Sequence, residues 1–393
     1  MAAAAGGYVL ASMPSAKITK MPHAVFNKEY KMKVPYKLKQ GQSRIFHQLP
    51  SGLNMEIIFQ EGVRNEQNKK LPIPAPLVFV HGSFHAAWCW AEHWLPFFSQ
   101  NGFDSYALSL LGQVQFSFIN QKPNFIVRVS NFGSLGKIWW LIGSQMFQFS
   151  ILPFIHVICS PNSDSSHNLE HWQGESDAPD GSVAGSLQSH ASDIADFIKN
   201  QTTLSPVLIG HSFGGLIVQY YIANLEKESN LAGAVLVCSV PPTGNSGLVW
   251  RYLFTKPVAA FKVTMSLAAK AFQTSLPLCK ETFFSREMDD HLVLRYQELM
   301  TESSRMPLFD LRKLNASLPV TSVPDPSTRV LVMGAADDFI VDAKGLEETG
   351  SFYGVKPVCV NGVAHDMMLD SSWEKGAQLI VSWIQNDVKS LTL

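Results

Sequence analysis

One pentapeptide constrains this chain more than any other feature: Gly210-His211-Ser212-Phe213-Gly214, set between an apolar run and a helical pattern. Pro206 to Gly210 reads Pro-Val-Leu-Ile-Gly, which suits a short strand buried on both faces. Gly215 to Lys227 has helical spacing. A serine at a sharp strand-to-helix turn is held in strained backbone with its hydroxyl exposed. Gly210 and Gly214 supply the small residues such a turn needs to clear the chain that crosses it. The helix N-terminus beneath offers donors to a developing negative charge. Ser212 is therefore the candidate nucleophile.

A serine hydroxyl attacks poorly without a base, and the base needs an acid to orient it. Both follow later in the chain. The apolar run Arg329–Met333 leads into Gly334-Ala335-Ala336-Asp337-Asp338, and the run Pro357–Val360 leads to Val363-Ala364-His365-Asp366. His365 is the expected base, and Asp337 or Asp338 the acid. Activity should then fall as pH drops through the imidazole pKa, near the ordinary 6.5 if that group is unperturbed. An oxyanion hole needs two converging donors. Phe213 N–H, directly after the nucleophile, is one. The other is expected from His81-Gly82-Ser83-Phe84, after the early apolar run Pro76–Val80, with Ser83 N–H as donor and Phe84 N–H in reserve.

The remaining pattern fits a parallel sheet covered by helices. Residues 43–62 read as a hairpin around Pro50-Ser51-Gly52, and further strands are expected at Phe103–Leu110 and Leu231–Val240, with helices at Leu187–Asn200 and Trp373–Val388 between or after them. Residues 241–322 show helical periodicity and no good strand, so they are expected to form a helical cap inserted between sheet strands. Phe283, Phe284, Met288, Leu292 and Leu294 read as one amphipathic helix face there. Trp88, Trp90 and Trp94 read as helix-packing core. His85, His93 and His211 are expected to be structural.

Composition excludes several classes. A net charge of −1 and a pI near 6.9 give no electrostatic footprint for nucleic acid. Five cysteines without a Cys-x-x-Cys pair argue against a disulfide framework or a cysteine zinc site, and for a reducing compartment. No His-Glu-x-x-His or EF-hand string is present, so no protein-ligated metal is expected.

With these residues in view, the chain resembles the α/β-hydrolase superfamily, and His81-Gly82-Ser83-Phe84-His85-Ala86-Ala87-Trp88 is similar to the opening of plant esterase and hydroxynitrile-lyase relatives. The resemblance spans residues 76–112 and 174–388 and is weak over the cap. It implies an α/β fold, a mostly parallel sheet with helices on both faces, and the chain order Ser212, acid, His365. The superfamily's usual Asp-x-Val/Ile-Val string matches Asp338-Phe339-Ile340-Val341 and so favours Asp338, leaving Asp337 as the alternative. It implies cofactor-free hydrolysis of an ester or related acyl bond of a small-molecule substrate, through an acyl-enzyme. The alternatives are a small-molecule receptor on the same fold, or a lyase acting on a cyanohydrin. Serine at position 212 argues against a dehalogenase or epoxide hydrolase, which use a carboxylate nucleophile.

Two segments stand apart. The superfamily loop Gly-x-Gly-x-Ser-x-x-Pro is split here: Gly112-Gln113 breaks off and Gly174-Glu175-Ser176-Asp177-Ala178-Pro179 resumes it. From Ser105 to Ser163 there is no acidic residue, where the chain average predicts about five. Val114 requires a codon beginning GT, and Gln173 is compatible with CAG, so residues 114–173 read as a retained intron that keeps the reading frame. Trp139, Trp140, Phe147 and Phe149 would otherwise form an apolar lid. A membrane span across 138–163 is not expected, because it would divide the sheet between two sides of a bilayer. The leader, residues 1–42, carries seven basic residues, with Arg44 an eighth just beyond it, and a first acid only at Glu29. It reads as a disordered transit segment, chloroplast by expectation and a cytoplasmic tail otherwise, with folded structure beginning near Ser43.

Overall fold

A computed structural model of the chain describes residues 36–64, 74–113, 138–142, 145–149, 176–225, 231–255, 257–303, 306–320 and 328–388. Among the described residues ten strands run in chain order: β1 Gln42–Gln48, β2 Asn54–Gln60, β3 Leu77–Val80, β4 Ser105–Leu108, β5 Ile138–Ile142, β6 Gln145–Phe149, β7 Val207–His211, β8 Gly233–Val237, β9 Val330–Ala335 and β10 Val358–Val360. Eight make one sheet in the order β1-β2-β4-β3-β7-β8-β9-β10. β1 and β2 form the expected hairpin, and β2 pairs antiparallel with β4. Every other neighbour in the sheet is parallel.

Alternation along the strands explains the layers. Leu77, Phe79, Ile209, Val235, Val237 and Met333 face a cluster containing Trp90, Trp94, Phe98 and Ile380. Val78, Val80, Leu208, Leu236 and Val332 face the opposite cluster, with Ile194, Phe197, Leu216 and Leu346. Neither face of the central strands meets water, so their sequences are continuous apolar runs. Trp88, Trp90 and Trp94 are all buried, as expected of packing residues.

The cap consists of helices Ser246–Thr255, Pro257–Leu267, Leu276–Phe283, Asp290–Ser303 and Leu311–Ala316, with a single 3-10 turn at Ala271–Gln273. Among the described residues it contains no strand, only the isolated bridge between Phe309 and Gly185. It is bolted to the core: Trp88 Nε1 donates to Ser303 Oγ at 2.9 Å, and Arg295 pairs with the buried Glu92 at 2.6 Å. The amphipathic face expected over 283–294 is not one helix. The helix ends at Phe283 and the next starts at Asp290. Phe283, Phe284 and Met288 are buried, whereas Leu292 and Leu294 are exposed. The break arises because Asp370 takes both the N–H and the hydroxyl of Ser285, at 2.7 and 2.6 Å, which holds that segment extended against the core.

The folded region also starts earlier than Ser43. Tyr36 is buried, its carbonyl accepts from Arg44, and Lys39 pairs with Glu92. Residues 1–35 lie outside the described residues. So does most of the 114–173 insertion, of which β5 and β6 form a separate two-stranded antiparallel pair. Its flanks are informative. Gly112 N–H donates to Asp177 O at 3.0 Å, and Ser176 Oγ both accepts from Glu56 N–H at 2.8 Å and donates to Ser109 O. The chain thus leaves and returns at one point, and the two halves of the split loop lie side by side. Among the described residues no helix is long and apolar enough to cross a membrane.

Candidate active site

Parallel register brings the carboxyl ends of six strands, β3, β4, β7, β8, β9 and β10, to one edge of the sheet. Val80 of β3 pairs with Gly210 of β7, and His211 pairs with Val237 of β8. Ligand sites of open α/β sheets form at this edge. The loop at His81-Gly82-Ser83 follows β3, Ser212 follows β7, Asp338 follows β9 and His365 follows β10.

Ser212 occupies the turn into the helix Phe213–Asn224 with φ 54° and ψ −121°. Left-handed backbone at a residue with a side chain costs about 1–3 kcal/mol and persists only where the surroundings enforce it. Here Ser212 N–H donates to Val237 O and Val240 N–H donates to Ser212 O, both at 3.1 Å, strapping the elbow to the end of β8. The glycines make room. A methyl on Gly210 would lie 2.6 Å from Gly214 O, and one on Gly82 would lie 2.8 Å from Ser212 Cβ. The second value shows how closely the loop after β3 approaches the nucleophile.

The acid and base meet. His365 Nδ1 lies 3.0 and 2.9 Å from Asp338 Oδ1 and Oδ2, both side chains almost wholly buried. Asp338 Oδ1 also accepts from Ile340 and Val341 N–H, at 2.8 and 2.9 Å, so its carboxylate cannot swivel. Asp337 is exposed. Burial alone would lower the His365 pKa. The charge and hydrogen bond of Asp338, with a further contribution from Asp366, outweigh it and hold the imidazole above its ordinary value of 6.5. The acid limb of activity therefore belongs above 6.5 rather than near it. Among the described residues the formed link of the triad is His365 to Asp338.

Neighbouring histidines act as neutral braces. His211 Nε2 donates to His365 O at 2.9 Å, and burial pushes its pKa down to about 3. That bond fixes the backbone carbonyl of His365. His81 Nδ1 donates to Gly82 O at 2.7 Å while its Nε2 accepts from Leu110 N–H, and burial takes its pKa to about 3. Phe213, the first residue of its helix, and Ser83 and Phe84 after β3 lie on the two segments that flank Ser212. Phe84 has φ 71°, and its ring packs on Phe272 and Phe283 of the cap.

Three polar residues were not marked out by sequence. Asp370 is fully buried and binds Ala364 N–H and Ser285 of the cap. Asp366 is fully buried beside His365. Cys238, at φ 45°, offers a sulfur within 4.8 Å of ligand atoms of Asp338 and His365, and burial foremost, with Asp338 adding, keeps its thiol well above the usual pKa. Cys238, Asp338 and His365, like His211, His365 and Asp366, could offer three atoms to a metal. His365 Nδ1 and His211 Nε2 are already committed to Asp338 and to the His365 carbonyl, so a metal would have to displace those bonds.

A cleft of about 380 Å³ opens between Phe339, next to the acid, and Pro257, Val258, Ala259, Lys262 and Glu281 of the cap.

Solved structures of this fold are numerous. The chain is similar to a putative lipase from Acinetobacter baumannii (14% identity, TM-score 0.55, covering 89% of this chain and 93% of that one). It is similar to an esterase from Exiguobacterium antarcticum (16%, 0.51, 87% and 99%) and to an epoxide hydrolase from Vigna radiata (14%, 0.52, 88% and 98%). At these identities the likeness is one of fold. No curated protein matches the sequence. The model of the alpha/beta hydrolase family matches residues 77–379, well over half the chain, and the chain belongs to that family.

Proposed function

We propose that the chain is a serine hydrolase that cleaves a carboxylic ester of a small to medium apolar substrate through an acyl-enzyme. The observation that carries this reading is the buried, doubly anchored His365–Asp338 pair beside a serine in left-handed backbone. Asp338 holds the proton on Nδ1, which leaves Nε2 free to take the Ser212 proton. Ser212 Oγ attacks the ester carbonyl while backbone N–H groups of Phe213 and of the Ser83-Phe84 loop receive the oxyanion. His365 then returns its proton to the leaving alcohol. Water repeats the sequence on the acyl-enzyme and restores Ser212. Phe84, Phe272 and Phe283 make the nearby wall aromatic, which favours an apolar acyl or alcohol part.

The test uses Ser212→Ala. The unmodified chain is expected to turn over p-nitrophenyl butyrate and to be labelled by a fluorophosphonate, and the variant to do neither. Labelling retained in Ser212→Ala would overturn the nucleophile assignment. A ligand-induced thermal shift with no multiple turnover by the unmodified chain would favour a receptor.

A further inference from the structure

We propose that His85 and Asp366 form a buried hydrogen-bonded pair that positions the oxyanion loop and ties it to the general base. This rests on the hydrolase reading above. His85 Nδ1 is 2.8 Å from Ser83 O, and His85 Nε2 is 2.9 Å from Asp366 Oδ2. Both side chains are buried, at 1% and 0% exposure. A carbonyl oxygen can only accept, so Nδ1 carries a proton. Asp366 is anionic: burial would raise its pKa, but His85 by charge and hydrogen bond, then His211 and His365, hold it below the usual carboxylate range. Nε2 faces that carboxylate, so the one ring bridges a backbone carbonyl and an ionised acceptor, and the second contact is a charge-assisted hydrogen bond. Such bonds are roughly twice as strong as neutral ones.

What they hold is the loop after β3. A trans peptide points its C=O and its N–H in opposite directions. Fixing Ser83 O against His85 therefore fixes the whole Ser83–Phe84 peptide plane, with Phe84 N–H directed away from His85. Phe84 itself sits at φ 71°, which a phenylalanine does not hold unaided. A strained residue next to an oriented carbonyl is the local cost of aiming a backbone donor, and the hydrogen bond from the His85 ring is what opposes relaxation. The other end of the pair is Asp366, directly after His365. Its N–H donates to Phe283 O of the cap at 2.9 Å. One side chain pair thus sets the spacing between the loop that receives the oxyanion and the loop that carries the base. His85 and Asp366 are positioning residues, and neither needs to touch substrate.

The pair of variants His85→Gln and His85→Asn separates the roles. Asparagine places its amide near the Nδ1 position and keeps a donor for Ser83 O. Glutamine reaches toward Asp366 and leaves Ser83 O free. Each is titrated with fluorophosphonate, and turnover of p-nitrophenyl butyrate is expressed per labelled serine, so that misfolded protein is not counted. Losing one oxyanion donor outright costs about 100- to 1000-fold. In His85→Gln, where the donors are loosened but remain, kcat per labelled site is expected to fall about 10- to 100-fold with KM within about twofold. Inhibition by phenylboronic acid, whose serine adduct needs the same donors, should weaken in parallel. His85→Asn should recover a substantial part of both. Asp366→Asn, which retains the volume, should lower kcat in the same direction and serves if His85→Gln does not fold. Unchanged kcat per labelled site, or a loss confined to KM, overturns the proposal. Absence of labelling in the unmodified chain overturns the hydrolase reading instead.

Discussion

Replacing Asp338 by asparagine tests the acid assignment at the level of single protons. The carboxylate has two duties. Oδ1 accepts from two backbone donors, Ile340 and Val341 N–H at 2.8 and 2.9 Å, and both oxygens face His365 Nδ1. An asparagine can supply only one carbonyl oxygen. The two buried N–H groups will claim it, because leaving them unpaired costs about 1–3 kcal/mol each. The amide nitrogen then faces His365 Nδ1 as a donor. Nδ1 must become an acceptor, which moves the imidazole proton to Nε2, opposite Ser212. In that tautomer the ring cannot accept the serine proton. The same substitution in the serine protease triad lowers kcat about 10⁴-fold, and a loss of that order is expected here. The variant should also lose the charge that holds the imidazole above 6.5, so any residual activity should have its acid limb shifted to lower pH. The assay is p-nitrophenyl butyrate turnover between pH 5 and 9, normalised by fluorophosphonate titration. A fall of less than about tenfold, or a loss matched by Asp337→Asn, would refute the argument.

Asp337→Asn itself should leave kcat within about twofold, since its side chain is exposed, and the same assay checks it. Gly82→Ala should abolish labelling of Ser212 while leaving a folded protein by circular dichroism, because the added methyl would lie 2.8 Å from Ser212 Cβ; full labelling would refute the close approach. Glu92 sits below the usual carboxylate range because Arg295 and Lys39 outweigh its burial, so its stabilising contribution is present above the unfolded value of about 4.3 and is lost as pH falls through the lower folded value. Urea unfolding of Glu92→Gln against pH should therefore show a shallower loss of stability on acidification, and an unchanged slope would contradict the assignment. Deleting residues 114–173 and joining Gln113 to Gly174 should give a folded chain that labels at Ser212 and aggregates less, since the flanks already meet at Gly112 and Asp177; an insoluble or unlabelled product would refute the intron interpretation. Residues 1–42 fused to a fluorescent protein should enter chloroplasts, and diffuse cytoplasmic fluorescence would refute the transit expectation.

The sheet was legible because both faces of its central strands are covered. A strand with no wet face must be written in unbroken apolar residues, as Val78-Phe79-Val80 and Val207-Leu208-Ile209 are. The elbow was legible because steric exclusion leaves few residue choices at Gly210 and Gly214. The acid was separable from its neighbour by a string of residues whose backbone N–H groups prove to hold it, at Ile340 and Val341. Polar contacts between distant segments had no such signature. His85 and Asp366 are 281 positions apart, and Ser285 and Asp370 are 85 apart. No local period links either pair. The same contact explains the error in the cap, where apolar spacing over 283–294 suggested one helix while Asp370 pulls the middle of it straight. Tyr36 was missed because one buried ring in a lysine-rich stretch leaves no periodic trace.

Asp370 makes the cap and the proton acceptor mechanically one piece. A single carboxylate grips Ser285 on one side and Ala364, the residue before His365, on the other. A hinged door swinging on this strut would drag the imidazole off its station each time it opened. The cap at Ser285 and the loop leading into His365 therefore keep one spacing, set by that carboxylate.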